Sequence, residues 1–292
     1  MKRSFVIVAA LAAIHAVGAE EDRFANVQVQ AHHVAGAVHM LTGAGGNIGA
    51  SIGADGTLVI DDQFAPLAEK ISEALAGIGG ARPKLVLNTH FHGDHTGSNA
   101  TFGETGTIVA HDNVRVRLLG GTDVSRTALP LVTFSDRLRI YFNDDELDVM
   151  HLPSGHTDGD AVVWFRRANV VHMGDLFFKG RFPVVDLENG GTVPGYITAL
   201  DAVLEWMPAD ARVIPGHGEL ATRSDLVSFR DTIAETLAIV RDRHGAGMSL
   251  DEIIAAGLGP QYAEFGSGYI DEARWIRILY AGVSGTDPRP AP

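Results

Sequence analysis

The chain contains no cysteine, which excludes disulfide frameworks, thiolate metal sites and cysteine nucleophiles together. Cations are scarce: 23 Lys+Arg stand against 36 Asp+Glu, a formal charge of −13. That balance argues against a nucleic-acid partner, because neutralising phosphates needs clustered lysine and arginine. Long hydrophobic runs are missing too. The most apolar stretch, residues 4–14, falls short of the roughly 20 residues that cross a bilayer. What is abundant is glycine, with 34 residues, and histidine, with 13. At 292 residues and 46% hydrophobic content, there is material for one large core or two small ones.

The amino terminus has the layout of an export signal. Met1-Lys2-Arg3 is basic, residues 4–14 are apolar, and Val17 and Ala19 are small residues at the spacing a signal peptidase reads. Residues 1–19 are therefore expected to be a signal peptide, cleaved before Glu20, leaving no stable membrane anchor. Removing Lys2 and Arg3 takes the charge from −13 to −15. The expected location is periplasmic or secreted. Export does not demand disulfides, so the missing cysteine is no objection.

The remainder reads as alternating sheet and helix. Residues 27–62 give strands broken by glycine turns, with Asp55-Gly56 a hairpin signal. The spacing of Leu67, Ile71, Leu75 and Ile78 predicts a helix over 66–78, ended by Gly79-Gly80. Residues 84–88 read as a short buried strand. Further strands are expected at 108–109, 131–132, 138–142, 147–152, 161–165, 170–173 and 212–215. Helices are expected near 196–206, 225–244 and 271–281. The expectation is one α/β domain over 20–284 with two β-rich halves, and a flexible tail at 285–292.

The chemistry follows the strand at 84–88, in His90-Phe-His92-Gly-Asp94-His95. His90 and His92 lie two apart and project to one side of an extended backbone. Four nitrogen and oxygen donors within six residues suit two ions side by side better than one. Three later loops each offer one donor beside glycine: Gly155-His156, Gly174-Asp175 and Gly216-His217. Glycine lets backbone approach a metal closely. The candidate ligands are then five histidines and two aspartates.

This pattern resembles the metallo-β-lactamase superfamily of zinc hydrolases, through His-x-His-x-Asp-His at 90–95, Gly-His-Thr at 155–157, Gly-Asp at 174–175 and Gly-His at 216–217. Gly45-Gly46-Asn47 and Ile60-Asp61 also look like that family, so the resemblance covers about 34–220. It implies a four-layered αβ/βα sandwich with the site at one edge of two sheets. It assigns one zinc to His90, His92 and His156, a second to Asp94, His95 and His217, and makes Asp175 the bridge. Asp94 would also orient the nucleophile, a water lowered to a pKa near ~7 between the cations. Iron or manganese suits a similar ligand set. Asp61 resembles the family's acid that braces the metal-binding loop. His32, His33, His39, His111, His151, His172 and His244 lack a glycine-flanked setting and are not expected to be ligands.

The motif is specific for the fold and poorly specific for the substrate. Lactamases of this fold usually carry cysteine or serine where Asp175 stands, which favours the broader hydrolases, with thioesterases and lactonases among them. The expectation is attack on an ester, thioester, lactone or lactam carbonyl of a small molecule. Lys179 and Arg181 are candidates for binding a substrate carboxylate. Phe177, Phe178 and Phe182 are candidates for an apolar pocket, with at least one assigned to the core. Three alternatives remain: lactam hydrolysis as the main activity, a mononuclear iron sulfur dioxygenase, and a non-catalytic metal-binding accessory protein.

Overall fold

Two sheets lie face to face, with helices on both outer surfaces. The computed structural model describes residues 23–122 and 124–285. The expected signal peptide and the tail beyond Gly285 lie outside those residues. The first sheet has seven strands in sequence order: β1 (Gln30–Ala35), β2 (Val38–Thr42), β3 (Ile48–Gly53), β4 (Gly56–Ile60), β5 (Leu85–Leu87), β6 (Thr107–His111) and β7 (Val132–Phe134). It begins as antiparallel hairpins and becomes parallel from β4 onward. The second sheet contains β8 (Arg137–Phe142), β9 (Asp145–His151), β10 (Ala161–Phe165), β11 (Val170–His172), β12 (Arg212–Ile214) and β13 (Ala221–Thr222). Their spatial order runs from β13 back to β8, and β11 and β12 are parallel.

Strand alternation explains why the sheets are buried on both faces. In β4 and β5, Leu58, Ile60 and Leu87 point into the core between the sheets, while Val59 and Val86 point outward under helices. In β10 and β11, Ala161, Val163, Phe165 and Val170 face the same central core, and Val162 and Val171 face the opposite one. Side chains two apart share a face, so a near-continuous apolar run serves two cores at once.

The outer layers come from helices with one apolar stripe. Helix α1 (Ala68–Gly77) covers the first sheet with Ile71 and Leu75. Helix α2 (Asp112–Leu119) follows β6. Helices α3 (Val193–Trp206), α4 (Arg223–Gly245), α5 (Leu250–Ala256) and α6 (Glu272–Ser284) gather over the second sheet around buried Tyr196, Phe229 and Trp275. The result is helix, sheet, sheet, helix: the four-layered αβ/βα arrangement. No helix among the described residues is long and apolar enough to cross a membrane.

Some elements differ from the sequence reading. The helix expected from residue 66 begins as a single tight turn at Ala65–Leu67 before α1. The strand expected at 131–132 is Val132–Phe134, and Leu131 stays outside it, 79% exposed. Helix α2 was not foreseen, because among its residues only Val114 is buried while Val116 and Leu119 face solvent. Helix α5 was missed although Ser249 and Glu252 form a reciprocal capping box at its start.

Phe165 lies fully buried in the core between the sheets. Phe165→Ala is expected to lower unfolding free energy by ~3–5 kcal/mol, measured as a reduced denaturant midpoint with an unchanged slope.

Candidate metal centre

The site is assembled where strands end. Parallel β4 and β5 deliver Asp61 and the 88–95 segment, β11 and β12 deliver Asp175 and His217, and the turn between β9 and β10 delivers His156. Strand ends in parallel sheets leave backbone groups unpaired and so collect loops and ligands. After β5 the chain bends through residues 89–91 and is extended at His92, then winds into a short helical turn, Gly93–Thr96, that places Asp94 and His95.

Two groups of donors result: His90, His92, His156 and Asp175, and beside them Asp94, His95 and His217. Asp175 ties them together. Its Oδ1 lies 3.0 Å from His95 Nε2 and 3.2 Å from His217 Nε2, while its Oδ2 lies 3.6 Å from His156 Nε2 and 3.8 Å from His90 Nε2. Asp94 Oδ2 lies 3.4 Å from His217 Nε2 and 3.6 Å from His95 Nε2.

These contacts fit metal ions better than hydrogen bonds. His90 Nε2, His95 Nε2 and Asp175 Oδ1 are buried with no hydrogen-bond partner, despite the short separation between the last two. Buried polar atoms without partners are costly. Donors that converge without pointing at one another satisfy that cost by sharing a cation. Glycine makes room for the convergence: a Cβ on Gly46 would stand 2.1 Å from His95 Cε1, and one on Gly216 would stand 2.2 Å from Asp175 Oδ1.

The outer ring nitrogens of four of the five histidines are tied down, which fixes the orientation of those rings. His95 Nδ1 is paired at 2.7 Å with Asp61 Oδ2, and the same carboxylate accepts from the Thr89 amide and hydroxyl. His90 Nδ1 meets the Thr89 hydroxyl at 3.0 Å. His156 Nδ1 meets the Val184 carbonyl at 2.8 Å, and His92 Nε2 meets Asp186 Oδ2 at 2.9 Å. His92 therefore presents Nδ1 to the centre, 2.8 Å from His156 Nε2. Asp160 braces the His156 loop by accepting from the His156 and Thr157 amides and the Thr157 hydroxyl. Its burial pushes its pKa up to about 7 against those hydrogen bonds.

Charge divides the two groups. Burial, aided by the His95 and His156 rings, holds His90 well below the usual imidazole range. Burial likewise takes His156 down to about 4, although Asp175 opposes it. Both are neutral near pH 7, the form that binds metal. His217 behaves oppositely. Burial disfavours its charge, but Asp175 and Asp94 prevail and raise it to about 9. His95 is also raised, by Asp175, Asp61 and Asp94 acting against burial. In the metal-free site, protons on this second group balance the two carboxylates.

Placement of the other candidates is mixed. Phe178 and Phe182 line a cavity of about 450 Å³ that opens over the donors, and Arg181 lines it with them. Phe178 also stacks on the His217 ring at 4.9 Å. Phe177 packs away from the cavity, against Phe229. The Lys179 ammonium donates to the Leu220 carbonyl at 3.0 Å and lies 3.6 Å from Asp225, and Lys179 is not among the residues lining the cavity. His172 is buried in β11 and contacts the Asn47 carbonyl at 3.1 Å, while His111 and His151 stack at 3.6 Å. Asp186 and Val184, which the sequence reading missed, carry no local motif, since their roles exist only across the folded site.

The family model of the metallo-beta-lactamase superfamily matches residues 50–222. The chain belongs to that superfamily. It is 29% identical to a hydroxyacylglutathione hydrolase of Rhodospirillum rubrum over 76% of this chain and 81% of the relative. It is 27% identical to an acyl-coenzyme A thioesterase of Gallus gallus over 47% and 57% of the respective lengths. A metallo-beta-lactamase from Pontibacter korlensis superposes with a TM-score of 0.62 at 17% identity, covering 71% of this chain and 99% of that one. Together with the histidine and aspartate cluster, membership marks a metal-binding hydrolase.

A pH effect follows with a definite sign. An ion at the second group displaces a proton from His217, so its apparent affinity weakens as pH falls below about 9. His156 competes with protons only near pH 4. On acidification the second ion is expected to leave first, with His217→Ala losing mainly that ion and His90→Ala mainly the other. Metal retained after dialysis across pH 5–9 measures this.

Proposed function

We propose that the chain is an exported dinuclear zinc hydrolase that cleaves ester, thioester and lactone carbonyls, and β-lactams more slowly. The observation that carries this reading is that the two oxygens of Asp175, which lines the cavity, face different donor groups, Oδ1 towards His95 and His217 and Oδ2 towards His90 and His156. Neutral imidazoles and carboxylates without sulfur suit zinc, and iron or manganese less selectively. When bound, the ions polarise the substrate carbonyl and bring a water's pKa toward ~7.

The protein's own groups do the rest. Asp94 is ionised, because His95 and His217 outweigh the effect of burial and lower its pKa. With Oδ2 turned to the two imidazoles, Oδ1 is free to accept a hydrogen bond from the attacking water and then its proton. Phe64, Phe178 and Phe182 hold the apolar part of the substrate and exclude bulk water. Asp175 adds a negative charge where lactamases of this fold usually place a thiolate or hydroxyl. That charge weakens carbonyl polarisation, and a poor leaving group suffers most. Thioesters and lactones tolerate it better. The likeness to a hydroxyacylglutathione hydrolase and a thioesterase supports this order. Export rests on the basic-then-apolar residues 1–19, and the partner is a small molecule rather than a nucleic acid, given the charge of −13.

The test is a screen of chromogenic lactones, thioesters and lactams on zinc-loaded protein. An ester-like substrate is expected to give the higher kcat/KM. Lactam turnover near ~10⁶–10⁸ M⁻¹s⁻¹ without esterase or lactonase activity would contradict the reading. Asp94→Asn is expected to keep metal at the first group and lose about 10²–10⁴-fold in kcat.

A further inference from the structure

The lining of the cavity includes a segment well before every ligand in the sequence. Arg23, near the start of the described chain, lines the same cavity as Asp94, Asp175 and His217. It is held there by several contacts. Phe24 is buried and packs against Phe64, with ring centroids 5.1 Å apart. The Arg23 guanidinium lies 4.6 Å over the Phe24 ring and 5.2 Å from the centre of Phe64. Lys70, on α1, donates all three ammonium hydrogens to the segment, reaching the carbonyls of Phe24 at 2.9 Å, Ala25 at 2.7 Å and Val27 at 2.8 Å.

Arg23 and Arg181 are the two permanent cations lining this cavity. Among the described residues neither has a carboxylate or hydrogen-bond partner, although acids outnumber bases 36 to 23 in the chain. Several other arginines are paired with carboxylates, as Arg82 is with Glu104, Arg117 with Asp158 and Arg230 with Asp201. The stem of Arg181 lies along Gly268, where an added Cβ would stand 3.1 Å from the Arg181 Cβ. A guanidinium stacked over aromatic rings keeps its N–H edge free, and that edge matches a carboxylate. A cavity of about 450 Å³ is small enough for one ligand to meet both cations and the apolar wall.

We propose that the segment 23–27, latched by Lys70, is a wall of the substrate cavity, and that Arg23 together with Arg181 binds an anionic group of the substrate. The substrate class is then an amphipathic acyl compound: an apolar body against Phe64, Phe178, Phe182 and Ile270, and a carboxylate or similar anion on the arginines. This rests on the hydrolase reading and adds the charge of its substrate. Lys70 touches no substrate and acts as a positioning residue through the segment it holds.

The experiment uses zinc-loaded protein and two matched pairs of probes. Binding of 4-phenylbutyrate is compared with 4-phenylbutyramide by calorimetry, and turnover of mono-4-nitrophenyl adipate with 4-nitrophenyl hexanoate. Wild type is expected to prefer the anionic member of each pair. That preference, as a ratio of Kd or of kcat/KM, is expected to fall about tenfold in Arg23→Gln and to fall likewise in Lys70→Met. Arg23→Lys is expected to restore part of it. An unchanged ratio in Arg23→Gln overturns the proposal, as does an equal loss on both members, which marks a merely structural role. If wild type turns over neither ester, the hydrolase reading fails, and the binding ratios still decide the arginine assignment.

Discussion

Asp175 is buried among imidazoles beside a second carboxylate, Asp94, and the fold is organised around holding that concentration of donors together. Without a cation the site protonates His217 and His95 to balance charge, while His90 and His156 remain neutral. Four of the histidines are held from behind: His95 by Asp61 after β4, His156 and His92 by Val184 and Asp186 in the loop after β11, and His90 by Thr89 of its own loop. Asp61 is fully buried with a left-handed backbone, φ 64°, a conformation uncommon for residues other than glycine. That turn aims its carboxylate back at the 88–95 loop.

The two sheets are joined at this edge as well as through the core between them. The Asn47 side chain donates to the Pro215 and Gly218 carbonyls, and its amide to Gly216. The Ala161 amide donates to the Thr89 carbonyl at 2.8 Å. Ligands from both sheets are thus set by backbone bonds across the gap, which gives the centre rigidity before any ion enters. The opposite demand, room for a substrate, is met by aromatic side chains and by segment 23–27, which belongs to neither sheet.

How far the sequence revealed this depends on the range of the interaction. His90, His92, Asp94 and His95 could be recognised because a short strand followed by closely spaced donors is a local signal. His156, Asp175 and His217 stood out because glycine adjoins each one. Asp186 and Arg23 gave no such sign: their partners are His92, 94 residues away, and Phe64. Lys179 and Arg181 looked equivalent in sequence. The neighbouring Leu220 carbonyl and Asp225 engage Lys179, while Arg181 lines the cavity. Helix α2 was invisible for another reason, since one buried residue, Val114, leaves no apolar period to read.

The central claim is that Asp175 joins two metal positions into one reactive centre. Elemental analysis of zinc-replete Asp175→Asn beside wild type tests it most directly. The account predicts two ions per chain in wild type, and in the variant weakened binding at both positions, because one carboxylate serves both groups. One ion per chain in wild type, or a variant that loses a single ion and keeps the other at wild-type affinity, would contradict it.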